Sequence, residues 1–445
     1  MRPLENMIFG PDPWWIVLIK VVGVFVLLLA WTIINVWFER RVLGFMQNRR
    51  GPSQNGPIGI LQAVGDGLKL AFKELFTPKD AHALVFNLAP LIAGIAAFTS
   101  WAVIPLGGQV SMFGHTTNLQ ITDLPVAVLF VLAIASIGIY GIVLAGWASN
   151  GTYALLGAMR ASAQMISYEI AMGLSLVAVF LSAGTMSTSG IVQAQSAPIS
   201  IAGFNTGLPG WYALLLIPSF VIYVIAMFGE ANRTPFDFAE CEQELVAGYN
   251  IEYTGFPYGV YYLAEYINMA TLSAICTTLV LGGYRAPWPF NNVSWLEGST
   301  GWIGLVWFLL KVQLVIFFFV WTRAAIPRFR YDKFMDLGWK WLIPISLVWI
   351  MAVAILKTAR TNDWFGNPIF LGLMAALVFG LLAISFLTGK EARVPDEPED
   401  VFDAFAGGYP VPPMPGQVLP ELSGVVRSTA SAATDAADPT IGADS

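Results

Sequence analysis

The sequence predicts an all-α, polytopic membrane protein with about nine transmembrane helices, and three observations carry that reading. Hydrophobic residues make up 56% of the 445 positions and charged residues only 12%, half the roughly 25% charged share of a soluble domain. Mean hydropathy is +0.65. Apolar runs of about 20 residues, the length that crosses a hydrocarbon core of roughly 30 Å, recur through residues 1–389. The runs are continuous rather than alternating, and too long for the roughly ten-residue strands of a membrane barrel.

In chain order the spans are expected near 14–37, 83–106, 124–147, 163–183, 211–229, 258–283, 301–322, 340–356 and 366–388. Ahead of the first, MRPLENMIFGPDP lacks a basic n-region and no small-residue cleavage site follows, so this span is expected to be retained. With the N-terminus outside, 17 Lys and Arg fall on inner loops and tail, against Arg2, Arg285, Lys357 and Arg360 outside. The positive-inside rule therefore places the N-terminus outside and the C-terminus in the cytoplasm.

The first inner loop opens with FERRVLGFMQNRRGPSQNGPIGILQAVGDGLKLAFKELFTP, residues 38–78. Leu61, Val64, Leu68, Phe72 and Leu75 recur at three- and four-residue steps, while Asp66, Lys69, Lys73 and Glu74 supply a polar face. That pattern predicts an amphipathic helix lying at the membrane surface. Two roles are open to it from this stretch alone: an anchor for the loop, or a doorway at the level of the lipid.

After the fifth span, GEANRTPFDFAECEQELVAGYNIEY, residues 229–253, sets six carboxylates against one arginine, Arg233. The acids are Glu230, Asp237, Glu240, Glu242, Glu244 and Glu252. With 236–247 taken as helical after Pro235, Asp237, Glu240 and Glu244 share one side and repel one another. The segment also carries Phe236, Phe238, Leu245, Val246 and Tyr249, side chains that a solvated acidic loop does not need.

Ionisable residues also interrupt the spans. Glu169 lies in SAQMISYEIAMGLSLVAVF, Glu265 in YYLAEYINMATLSAI and Lys311 in WFLLKVQLVIFFFVW. A charge at mid-membrane costs about 3 kcal/mol on the insertion scale, so such residues face a polar interior and mark ion or proton paths. Crowding and desolvation tune carboxylates to exchange protons near neutral pH.

The formal charge of −6 comes from the end of the chain: residues from Lys390 onward hold ten acids and three bases, leaving 19 acids and 20 bases in 1–389. The tail 390–445, rich in Pro, Ala, Ser and acids, is too poor in apolar surface to fold alone and is expected to be a disordered cytoplasmic extension. Cys241 and Cys276 form no CxxC, and His82 and His115 fall on opposite sides of the membrane, so no thiol-bound cluster, zinc site or haem pair is encoded. Nucleotide-binding glycine motifs are missing as well. Electron chemistry would need a partner's cofactors.

The acidic segment with GVYYLAEYINM, together with ERRVLGFMQNRRGP, GLKLAFKELFTP, RASAQMISYEIAMGLS, WFLLKVQL and RAAIPRFRYDKFMDLGWKWLIPISL, resembles the H-subunit family of respiratory complex I. Its mitochondrial counterpart is NADH dehydrogenase subunit 1. The motifs stand in family order from about residue 14 to 388; the tail lies outside the resemblance. The resemblance implies a translocase, a proton-pumping NADH-quinone oxidoreductase of the bacterial plasma membrane or an equivalent energy-transducing membrane. In it, FMN and iron–sulfur clusters sit on partner subunits and this chain binds no cofactor or metal. The substrate is a quinone, ubiquinone or menaquinone. Glu39, Arg40, Arg49 and Asp66 would then line the quinone chamber or its entrance. Glu230, Arg233, Asp237, Glu240, Glu242 and Glu244 would line a funnel into the membrane, continued by Glu169, Glu252, Glu265 and Lys311. Partners would be the other complex I subunits, quinone and lipid, with no nucleic acid. Two rivals are the related membrane subunit of energy-converting hydrogenases, which has no quinone, and a stand-alone proton-coupled transporter. The complete loop and acidic motifs favour the quinone branch, and no inverted repeat of the transporter kind is evident.

Overall fold

The computed structural model describes residues 12–201, 204–238, 245–288, 290, 297–298 and 301–361. The ninth span expected at 366–388 and the tail 390–445 lie outside the described residues, as do Glu240, Glu242 and Glu244. What is described is helical apart from two short hairpins, and six of its helices are long and apolar enough to cross a membrane. The chain is an all-α multi-pass membrane protein.

Helix α1, Trp14–Met46, begins after an extended Pro13 and runs for 33 residues. At 1.5 Å per residue it is about 50 Å long, more than a hydrocarbon core of roughly 30 Å, so its last turns carry Glu39 and Arg40 past the core. The surface helix expected in the first loop forms as α2, Leu61–Phe72, and leaves Leu61, Leu68 and Phe72 exposed. Next come α3, Ala83–Thr99, and a two-stranded hairpin of β1, Gln109–Met112, and β2, His115–Asn118. Its loop residues Phe113 and Gly114 both have positive φ, the backbone a two-residue turn of this kind requires.

Helix α4, Ala127–Ala148, packs against α3 on one side and against α5, Thr152–Ala183, on the other through small residues. Gly146 is where they come closest: a Cβ there would lie 2.3 Å from the Ala158 Cβ. Helix α5 starts 11 residues before the expected span at 163, because TYALLGAMRAS is dominated by strong helix formers. Gly184, with φ 75°, ends it and donates to the Phe180 carbonyl. The short α6, Thr188–Ala194, and a hairpin of β3, Pro198–Ile201, and β4, Phe204–Pro209, follow.

The fifth expected span is interrupted. In place of a helix over 211–229 there are α7, Tyr212–Leu215, and α8, Ile217–Glu230, with Leu216 out of helical geometry between them. Pro218 is the cause: it lacks an N–H for the previous turn and its ring crowds the carbonyl four residues back, so helix restarts there. Helices α9, Gly255–Leu279, and α10, Ile303–Ala325, coincide in position with the next two spans, and of the two only α10 is among the six helices long and apolar enough to cross a membrane. The eighth is longer than expected: α11, Tyr331–Asp336, passes through a π turn, Leu337–Leu342, into α12, Ile343–Thr361.

Candidate functional site

The end of α1 meets α9 and α10 at a buried carboxylate. Glu39 is 4% exposed. Its Oε2 accepts a hydrogen bond of 2.6 Å from the Tyr266 hydroxyl, and its two oxygens accept from Arg233 Nη1 at 3.1 and 3.3 Å. Arg323, on α10, donates to Glu39 Oε1 as well. Tyr266 also accepts from the Tyr262 hydroxyl at 3.2 Å, and the Arg233 guanidinium lies 4.5 Å above its ring. Residues 39, 233, 266 and 323 thus converge on one point.

Arg233 joins this cluster to a second acid, since its Nε lies 2.9 Å from Glu265 Oε1. Burial opposes the charge on Arg233, but the Glu265 and Glu39 carboxylates beside it win and hold its pKa above the usual arginine range. Beyond Glu265 is a cavity of about 80 Å³ whose lining includes Glu230, Glu265, Asn268, Tyr261 and Thr271. At 10–15 Å³ each it has room for about five to eight water molecules. Glu230 is 1% exposed and neither carboxyl oxygen has a hydrogen-bond partner, so it faces the cavity without a counter-ion. Glu169, half-buried on α5, accepts from Ser136 on α4.

The stretch between α8 and α9 is packed rather than washed by solvent. Gln164 donates to the Gly229 and Phe236 carbonyls at 2.8 and 2.9 Å. Phe236 and Phe238 pack at a tilt against Phe334, which stacks on Tyr168 at 4.2 Å. Phe236, Phe238, Leu245 and Tyr249 are all buried, as their interleaving with acids implies, whereas Val246 is 56% exposed. Residues 236–238 are not helical, although a helix over 236–247 is the sequence expectation; the intervening acids lie outside the described residues. Asp237 pairs with Arg328 at 3.4 Å.

On the surface side, Arg40 binds Asp66 of α2 at 2.5 Å, and Gln62 donates to the same carboxylate at 3.0 Å. Near this pair, the Tyr262 hydroxyl donates to Tyr266, which donates to Glu39. Arg49 stays apart and donates to Gln47 at 2.8 Å. Glu252 sits against Gly151, away from the cluster. Lys311 is placed elsewhere too. Its ammonium, 7% exposed, donates to the Leu281, Gly283 and Arg285 carbonyls at 2.7, 3.0 and 2.6 Å. Glu265 is 14 residues before the end of α9, about 21 Å away along its axis.

Three participants escape sequence reasoning: Tyr262, Tyr266 and Arg323. Tyr266 follows Glu265 directly, and Tyr262 precedes it by one turn, so spacing on one helix held a signal. Arg323 did not, because only tertiary packing brings α10 to α1. Among the described residues no group of three or more His, Cys, Asp or Glu is arranged to hold a metal ion.

The NADH dehydrogenase family profile matches residues 19–354. The chain is 64% identical to the H subunit of the NADH-quinone oxidoreductase of Cutibacterium acnes over 98% of both chains. It is 49% identical to the protein of the same name in Streptomyces avermitilis, over 93% of this chain and 90% of that one. The first alignment extends into the tail beyond residue 390, past the end of the family profile.

Proposed function

The chain belongs to the NADH dehydrogenase family, as an H subunit of NADH-quinone oxidoreductase and so a membrane subunit of complex I, and on that premise we propose how its acids work. Glu39, Arg40, Arg49 and Asp66 border the quinone chamber or its mouth. Glu230, Arg233, Asp237, Glu240, Glu242, Glu244 and Glu265 form the path by which quinone reduction is coupled to proton translocation. Glu169 and Glu252 extend it toward neighbouring membrane subunits. The observation that carries this reading is the buried run from Glu39 through Arg233 to Glu265 and the cavity at Glu230, with the Arg40–Asp66 pair next to Glu39 along the chain.

The chemistry follows from charge. Reducing a quinone to a quinol consumes two protons, drawn from acids near the chamber. Partner subunits supply the flavin and iron–sulfur clusters that bring the electrons. Each loss or gain of a proton in a low-dielectric channel changes the field at the next acid, an effect far larger than in water. Arg233 is the hinge of the scheme because it binds Glu39 on one side and Glu265 on the other. Shifting its charge toward one weakens its hold on the other. The assembly operates in the plasma membrane with the N-terminus outside, and Lys311 serves chiefly to fix the end of α9.

The test is photolabelling of the intact complex in membrane vesicles with an azido-quinone. Label is expected on residues 38–72, reduced by the quinone-site inhibitor that blocks turnover and by Asp66→Asn. Label confined to the partner subunits and blind to Asp66→Asn would remove this chain from the chamber.

A further inference from the structure

A second cavity lies near the start of α1, far from the acids. Its position along the helix, around residues 20–27, is about 18–28 Å from Glu39. It measures about 240 Å³. Gly23, Val24 and Leu27 form one wall, Trp101 and Leu119 the other, and Leu305 closes it. Ile19 and Trp302 also line it while remaining 43% and 51% exposed, so it opens on the outer surface of the chain.

Water is a poor occupant. A buried water needs two to four polar partners, and the polar side chains in the wall, Lys20 and Gln120, are committed. Lys20 Nζ donates to Asp12 at 2.6 Å, the Thr117 hydroxyl at 2.6 Å and the Gln120 carbonyl at 3.0 Å. Gln120 Nε2 donates to the Val103 carbonyl at 2.8 Å and the Thr188 hydroxyl at 3.1 Å. These bonds pin the hairpin and the turn after α3 at a fixed distance from α1, so the walls cannot close without breaking them. An apolar void costs free energy in proportion to its volume, and this one exceeds the engineered cavity of about 150 Å³ that binds benzene.

We propose that this cavity seats an acyl chain of a membrane phospholipid. The walls offer apolar contact at the depth of the first span, and the Lys20 ammonium and Gln120 amide are already paired and not free for a quinone headgroup. An acyl chain needs none. Its headgroup stays outside the mouth, beside Trp302, an aromatic suited to the interface between lipid and water.

Gly23 provides the probe. A Cβ there meets no heavy atom within 4 Å, and leucine forms helix better than glycine, so Gly23→Leu adds apolar bulk at the cavity wall from an unobstructed Cβ. The intact complex is reconstituted in vesicles of phosphatidylcholine and phosphatidylglycerol containing a phospholipid with a diazirine at the end of one acyl chain. Label is mapped by peptide mass spectrometry. Residues 19–27 and 101–121 are expected to label several times more heavily than the exposed Leu347, Val348 and Met351 of α12, and Gly23→Leu to bring them down to that level. Leu27→Phe repeats the test if Gly23→Leu fails to assemble. Label no heavier than on α12, or unchanged by either substitution, would overturn the proposal. So would displacement by a long-chain quinone but not by unlabelled phospholipid, or cross-linking of a partner subunit into the cavity.

Discussion

Glu39 and Glu230 are both buried acids, yet their surroundings give them different duties. Glu39 has two arginines and a tyrosine hydroxyl, whereas Glu230 has no partner. Removing one member of a buried ion pair leaves the other uncompensated and costs about 3–5 kcal/mol. Arg233→Ala strands Glu265 and leaves Glu39 with Arg323 as its one arginine, so the assembled complex is expected to fall sharply, read as the yield of this chain in purified complex. Tyr266→Phe deletes one hydrogen bond to a carboxylate, worth about 1.5–3 kcal/mol. It should lower the temperature at which inhibitor-sensitive quinone reduction is lost while leaving assembly intact. An unchanged inactivation temperature would mean the arginines alone hold Glu39. At this scale the sequence named the acids and Arg233 but missed Tyr262, Tyr266 and Arg323. Their role depends on α1, α9 and α10 meeting, which no local spacing encodes.

At the scale of elements, the spans were legible because length and apolarity are local properties, and the surface helix because its period is. The broken fifth span was misread since an apolar window is blind to the single ring of Pro218 that restarts the helix. The acids that interrupt apolar runs were conspicuous for the opposite reason, as each carries a cost the bilayer does not forgive. Close packing of α4 on α5 rests on Gly146, where a Cβ would sit 2.3 Å from Ala158. Gly146→Leu is therefore expected to separate these helices, displace Glu169 from Ser136 and reduce assembly, measured by native-gel yield. Lys311→Met leaves three carbonyls at the end of α9 without their donor. It should lower yield while leaving the proton-to-electron ratio of the assembled fraction unchanged, and a lowered ratio would place Lys311 in the proton path.

For the whole molecule, charge asymmetry predicts orientation, with basic loops and the acidic tail in the cytoplasm. A fluorescent protein fused after Ser445 should therefore fluoresce, and alkaline phosphatase fused there should be inactive. The opposite result would reverse the sidedness of the acid path. The molecule joins a surface helix, a buried ion cluster and a cavity with an unpaired acid, and the proposed coupling requires protonation changes among these acids when quinone is reduced. Glu230→Gln tests it most directly, because the substitution keeps shape and breaks no ion pair. The measurement is protons translocated per NADH oxidised by the purified complex in sealed liposomes. Normal assembly and a lower ratio than wild type are expected. A ratio and turnover both equal to wild type would contradict it.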